Sequence, residues 1–182
     1  MSELTVPRFQ IQQIAMVVCN TQAAFTLLSD LGLTDWIHDT VVAEGKVFGL
    51  EGANTANLHF NYQAGTGIEY IDGDGTQRYD TKPLELEILD YTDGPNWMAE
   101  NGSSLDSVSH LGMHVTAEQL AQYRAYFEAE GIPVAQEVVT QSHTNDHIKD
   151  SRRYNYVIFD TRELIGVDLK FIVRLNVDGT PQ

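Results

Sequence analysis

Two matched stretches carry the side chains best suited to chemistry. Ser109-His110-Leu111-Gly112-Met113-His114-Val115 alternates polar and apolar residues and runs into a helix start. Gln12-Gln13-Ile14-Ala15-Met16-Val17-Val18 aligns with it without a gap, so that Gln13 stands against His110, small Ala15 against small Gly112, and Met16 against Met113. A third stretch, Leu84-Glu85-Leu86-Glu87-Ile88-Leu89, puts two carboxylates on one strand face, roughly 7 Å apart. Such a pair suits proton transfer, one carboxylate acting as general base and the other as its partner. Laying Glu85-Leu86-Glu87-Ile88-Leu89 on Asp168-Leu169-Lys170-Phe171-Ile172 matches Glu85 with Asp168 and singles out Glu85 of the two.

The bland readings stand beside these. Gln13 taken alone is a hydrogen-bonded strand residue, and His110 alone is a core or surface histidine. His114 shares a face with His110, and Tyr154 shares one with Tyr156; any of these lines a cavity or serves as an ordinary polar strand position. Lys149, Arg152 and Arg153 cluster in one loop of a chain with 11 basic residues. They either pair with surrounding acidic groups or recruit the anionic end of a substrate.

The elements that must position these residues recur in one order. After the first strand, Asn20 or Thr21 caps a helix with Ala24, Leu28 and Leu31 on one face, and Gly32 stops it. Val47 to Glu51 and Asn57 to Tyr62 read as strands separated by the turn-prone Gly52-Ala53-Asn54-Thr55. An inserted hairpin spans about residues 65–81, turning at Asp72-Gly73-Asp74-Gly75, and the strand holding Glu85 follows. A linker covers residues 93–107. Beyond it Thr116 and Gln119 form a capping box, with Leu120, Tyr123 and Phe127 as the helix's apolar stripe. Strands are then expected at Val134 to Val139, Tyr154 to Phe159 and Gly166 to Val173. Each half reads β-α-β-β-β, and the chain reads as a duplication: a first module over residues 9–92, a second over 108–176, together one structural domain.

Composition narrows the partners. The 182 residues are 42% hydrophobic, ample for a core. A formal charge of -15, from 26 acidic and 11 basic side chains, repels phosphate backbones and anionic lipid, which argues against nucleic acid and membrane surfaces. No signal-like or membrane-spanning run is present, so a cytoplasmic location is expected. The single cysteine, Cys19, allows neither an internal disulfide nor a multi-thiolate zinc site and is expected to be buried.

These paired β-α-β-β-β units, with Gln13 and His110 at matching positions, resemble the vicinal oxygen chelate superfamily, which includes glyoxalase I, methylmalonyl-CoA epimerase, extradiol dioxygenases and the bleomycin resistance proteins. The resemblance covers about Phe9 to Leu175. It implies an α+β fold in which two paired modules form a cupped mixed sheet. It also implies one divalent metal ion (zinc, nickel, cobalt, manganese or iron) held by Gln13, Glu85, His110 and Asp168, the last standing where the family normally has glutamate. A metal-dependent lyase or isomerase of the glyoxalase and epimerase kind follows: a small, anionic substrate chelates through adjacent oxygens, and Glu85 or Glu87 moves a proton at the neighbouring carbon. Lys149, Arg152, Arg153, His114 and Tyr156 are then the candidate substrate contacts. The alternatives are a metal-free binding or resistance protein, and a ring-cleaving dioxygenase, which Gln13 disfavours because that iron site needs two histidines. A homodimer stays open.

Overall fold

The computed structural model describes residues 6–62, 64, 68–71, 77–80, 84–100, 106–144 and 150–182, with the backbone alone for 68–71, 77–80, 99, 100 and 152. Alternating strands wrap into a barrel-like cup. They are β1 (Gln13–Val17), β2 (Ile37–Val47), β3 (Leu50–Asn61), β6 (Glu85–Asp93), β7 (Ser107–His114), β8 (Val134–Ser142), β9 (Arg152–Phe159) and β10 (Asp168–Asn176). Between β3 and β6, β4 (Ile68–Ile71) and β5 (Gln77–Asp80) form a separate two-stranded sheet, as expected of the inserted hairpin; its turn, Asp72 to Gly75, lies outside the described residues. Around the barrel the order is β1-β6-β3-β2-β8-β9-β10-β7, closing on itself. The sheet is mixed: β1 runs parallel to β6 and β7 parallel to β10, while every other neighbouring pair is antiparallel. The class is α+β, dominated by strands.

Two expectations need correction. The strand β2 begins ten residues before the expected Val47, and Gly52 to Thr55 lie inside β3 rather than in a turn. The reversal is instead at Phe48 and Gly49, whose φ values of 45° and 79° are both positive, the geometry of a two-residue hairpin loop. The polar residues of β2 hid it, because Asp39 occupies an inward position where an apolar residue would signal a strand. The second correction is the linker. It contains α2 (Trp97–Glu100), which drives Trp97 and Met98 into complete burial against Val17, Val41, Leu58 and Leu89, plugging one end of the barrel.

Helices α1 (Thr21–Asp30) and α3 (Ala117–Ala129) lie outside the barrel. The expected capping box of Thr116 and Gln119 is present in α3, and Leu120, Tyr123 and Phe127 pack on Val157, Phe159, Phe171 and Val173. Asn20 caps α1 by accepting from Ala23 N, but no residue of α1 is buried, and Leu31, expected on its inward stripe, is 71% exposed beyond the helix end. The inward face is Ala24, Phe25 and Leu28, with Phe25 edge-on to Trp36, His38 and His59. A short helix, α4 (Arg162–Ile165), precedes β10. Among the described residues no helix is long and apolar enough to cross a membrane.

Candidate functional site

Strand alternation gives the barrel an inner face, and its open end encloses a cavity of about 770 Å³. Phe60, Tyr62, Tyr154 and Tyr156 supply aromatic wall; Gln13 and Glu85 contribute polar surface at depth. Beneath lies a void of about 20 Å³, room for one water, lined among others by Glu87, Trp97, His110, Gln136 and Lys170.

The parallel pairs set the chemistry in register. Gln13 is paired with Glu85 in β1 and β6, and His110 with Asp168 in β7 and β10. Two residues on, Glu87 and Lys170 therefore occupy matching positions on the inner face. Gln13, Glu87, His110 and Asp168 are all buried, and Lys170 is 2% exposed. Gln13 Nε2 donates to Glu85 Oε1, and Gln13 Oε1 lies 3.0 Å from His110 Nε2. His110 Nε2 is also 3.1 Å from Glu87 Oε2, and Lys170 Nζ donates to that same oxygen at 3.2 Å while resting 4.2 Å over the Tyr156 ring.

Charge states follow from these contacts. Burial alone would raise the Glu87 pKa, but the Lys170 charge and the His110 hydrogen bond outweigh it and bring the carboxyl down to about 2. Burial, with the nearby Lys170 charge, lowers His110 to about 4, so its ring is neutral. Both oxygens beside His110 Nε2 are acceptors, so the neutral ring carries its proton there and accepts from Ser109 Oγ, 3.0 Å away, at Nδ1. Glu85 behaves differently: burial, then repulsion by Glu87, raises it to about 7 against the opposing Gln13 hydrogen bond. Tyr62, hydrogen-bonded to Glu85, is raised by burial.

Asp168 is drawn away from this network. Its Oδ2 accepts from Trp97 Nε1 at 3.0 Å and from Arg162 Nε at 3.2 Å, with Arg162 Nη2 at 3.1 Å. Arg162 also donates to Ser109 O at 2.6 Å, tying α4 to β7. The four expected ligands therefore do not gather around one point. Glu87, not Glu85, is the carboxylate at His110; Asp168 faces Trp97 and Arg162; and the ammonium of Lys170 sits where a cation would meet Glu87. Among the described residues no three His, Cys, Asp or Glu side chains converge as a metal-binding group. The residues present do not fit the divalent site.

The expected substrate contacts divide. His114 and Tyr156 both line the cavity. Lys149 lies outside the described residues, as does the Arg152 side chain. Arg153 is on the outer face of β9: Tyr154 and Tyr156 point into the cavity, while Val157 and Phe159 pack in the α3 cluster, and Arg153 follows their alternation. The cation that does reach the cavity is Arg174, exposed at its lining and without an ion pair among the described residues. Both it and Lys170 continue the inward alternation that starts at Asp168, a signal the sequence carried. Trp97 and Arg162 had none, since each meets Asp168 only through tertiary packing. Cys19 is exposed rather than buried.

No protein-family model and no curated protein matches the sequence.

Proposed function

We propose that the chain binds a small anionic molecule in its barrel cavity and moves a proton on it with Glu85, without a metal ion. The fold is read as the glyoxalase-like arrangement, with modules over residues 9–92 and 108–176 joined edge to edge. What supports it is the strand order β1-β6-β3-β2 followed by β8-β9-β10-β7, with Gln13–Glu85 and His110–Asp168 in matching parallel register.

The observation that carries the functional reading is Glu85. It borders the large cavity, and a carboxyl at about 7 is present in both protonation states near neutrality, the condition for efficient general acid–base transfer. Gln13 holds its Oε1 and Tyr62 supplies a second hydrogen bond, fixing its orientation. Arg174 offers the anion a counter-charge against an otherwise acidic protein, and the aromatic wall takes an apolar body. Lys170 is sealed in the floor, so its charge acts on the carboxylates and not on the ligand directly. A carbon acid flanked by carbonyl groups suits this site, because its anion is stabilised within the molecule. The overall change is isomerisation or proton exchange, with no oxidation.

The test is incubation of the full chain in deuterated water with 2-oxo acids and 1,3-dicarbonyl acids, followed by proton NMR. Wild type is expected to accelerate deuterium entry beside the carbonyl, and Glu85→Gln to abolish the acceleration. The second reading, a metal-free binding or resistance protein, is favoured by the enclosed aromatic wall. Ligand-induced thermal stabilisation with no exchange in any member of the panel would establish it in place of the enzyme. A ring-cleaving dioxygenase has no support in a donor set with one histidine.

A further inference from the structure

We propose that Lys170 is a built-in replacement for a metal ion, and that this one side chain keeps the barrel floor from binding a divalent cation. The inference rests on the metal-free reading of the site but not on any reaction at Glu85.

The geometry around Lys170 is that of a ligand set with one member changed. Gln13 Oε1 and Glu87 Oε2 lie 3.0 and 3.1 Å from His110 Nε2, the separation of adjacent ligands around an ion with bonds of about 2.1 Å. Glu87 Oε1 is buried and has no hydrogen-bond partner among the described residues, so a second carboxylate oxygen is free to turn to a cation. In the strand registers, Lys170 holds the place in β10 that Glu87 holds in β6. A carboxylate at 170 would complete a set drawn from both halves of the barrel: one imidazole, one amide and two carboxylates, a mixture suited to zinc, nickel or cobalt. An ammonium there has no lone pair to offer. It instead supplies the positive charge that Glu87 needs and repels any divalent ion from the same few ångströms.

Ser109 permits either state. Its hydroxyl lies 3.0 Å from His110 Nδ1 and 3.2 Å from Ala15 O. With Lys170 present it donates to Nδ1, and His110 keeps its proton on Nε2. With an ion at Nε2 the hydroxyl donates to Ala15 O and accepts from Nδ1–H, which is the orientation a metal-bound histidine requires.

The experiment compares wild type, Lys170→Glu and Lys170→Gln, as full chains stripped by chelator, titrated with zinc and with nickel. Wild type is expected to take up no ion at the floor. Lys170→Glu is expected to melt at a lower temperature without ion, because two carboxylates then face each other, and to recover on adding one equivalent. Its affinity should exceed that of wild type by on the order of 100-fold or more, since a repelling charge becomes an attracting one. Lys170→Gln should gain less, and serves if the glutamate variant does not fold. Adding His110→Ala to Lys170→Glu should abolish the gain, which separates the floor from the exposed His38 and His59 pair. Nitrogen-15 NMR of His110 should report Nε2–H in wild type and Nδ1–H in the zinc-loaded glutamate variant. Folded Lys170→Glu and Lys170→Gln that bind no better than wild type would overturn the proposal. So would wild type that retains one equivalent of ion through purification and loses it on His110→Ala. A failed deuterium exchange with the floor behaving as described would instead remove the Glu85 reading alone.

Discussion

Glu85 and Asp168 hold matching places in two parallel strand pairs, one beside Gln13 and the other beside His110. Glu85 borders the open cavity, and burial with a carboxylate neighbour raises it to about 7. Asp168 is capped by Trp97 from α2 and Arg162 from α4, which together occupy its Oδ2. Two residues further along the same strands, Glu87 and Lys170 meet as a buried ion pair. Register brings equivalent positions of the two halves together; what the connecting segments lay over them decides whether the group borders the cavity or is bound to its neighbours. The contrast extends to the outer helices, where α3 buries three residues and α1 none.

The largest effect is expected at the ion pair. Removing one partner of a buried pair leaves the other uncompensated, at a cost of about 3–5 kcal/mol. Lys170→Met should lose stability of that order in denaturant unfolding, while Glu87→Met with Lys170→Met should be far less damaging than either single change. A Lys170→Met chain within about 1 kcal/mol of wild type would mean that Glu87 draws its stabilisation from His110 instead.

The two outer helices should also differ. Phe127 is 5% exposed and stacks on Phe159 with centroids 4.2 Å apart, so Phe127→Ala should cost about 3–5 kcal/mol. Leu28→Ala in α1 should cost about 2 kcal/mol or less, because that side chain is only partly buried. Comparable losses from both, read from denaturation midpoints, would show that α1 contributes to the core as α3 does.

These differences bear on what the sequence disclosed. Gln13, His110 and the Glu85–Glu87 pair were legible because their stretches alternate polar and apolar residues in sequence, and the alignment matched Gln13 with His110 and Glu85 with Asp168; that Gln13 pairs with Glu85 and His110 with Asp168 came from the parallel strand contacts. Glu85 and Glu87 were not separable by spacing, since both face inward; their roles are divided by Lys170, which reaches only Glu87. Trp97 was hidden by the Gly94-Pro95-Asn96 run, which has the composition of a linker, although the indole that follows it is buried. Arg162 was hidden because its contact with Asp168 is made by a helix of one turn that has no amphipathic pattern.

Asp168→Asn is the next prediction in size. The amide keeps the shape but loses the charge that holds Arg162, and hydrogen bonds to charged groups contribute about 1.5–3 kcal/mol. A loss in that range is expected, together with unimpaired deuterium exchange. Loss of exchange in a stable Asp168→Asn chain would place Asp168 in the reaction and dissolve its contrast with Glu85.

Glu85→Gln gives a change whose sign depends on pH, and that sign is the informative part. Folding raises the Glu85 pKa from 4.5 to about 7, so the folded chain holds this proton more tightly than the unfolded chain does. The resulting stabilisation is complete below pH 4.5 and is lost as pH rises through 7, where the folded state must carry a carboxylate in the cavity beside Glu87. Glutamine cannot ionise. The variant should therefore gain on wild type as pH increases, and should be the more stable of the two near pH 8, while the difference stays flat in acid below about pH 4.5. Denaturant midpoints of wild type and Glu85→Gln across this range read that difference directly. If Glu85→Gln were less stable than wild type at every pH, the ionised carboxylate would be the form that the fold stabilises, and a cavity carboxyl poised near neutrality would no longer be available as the proton acceptor.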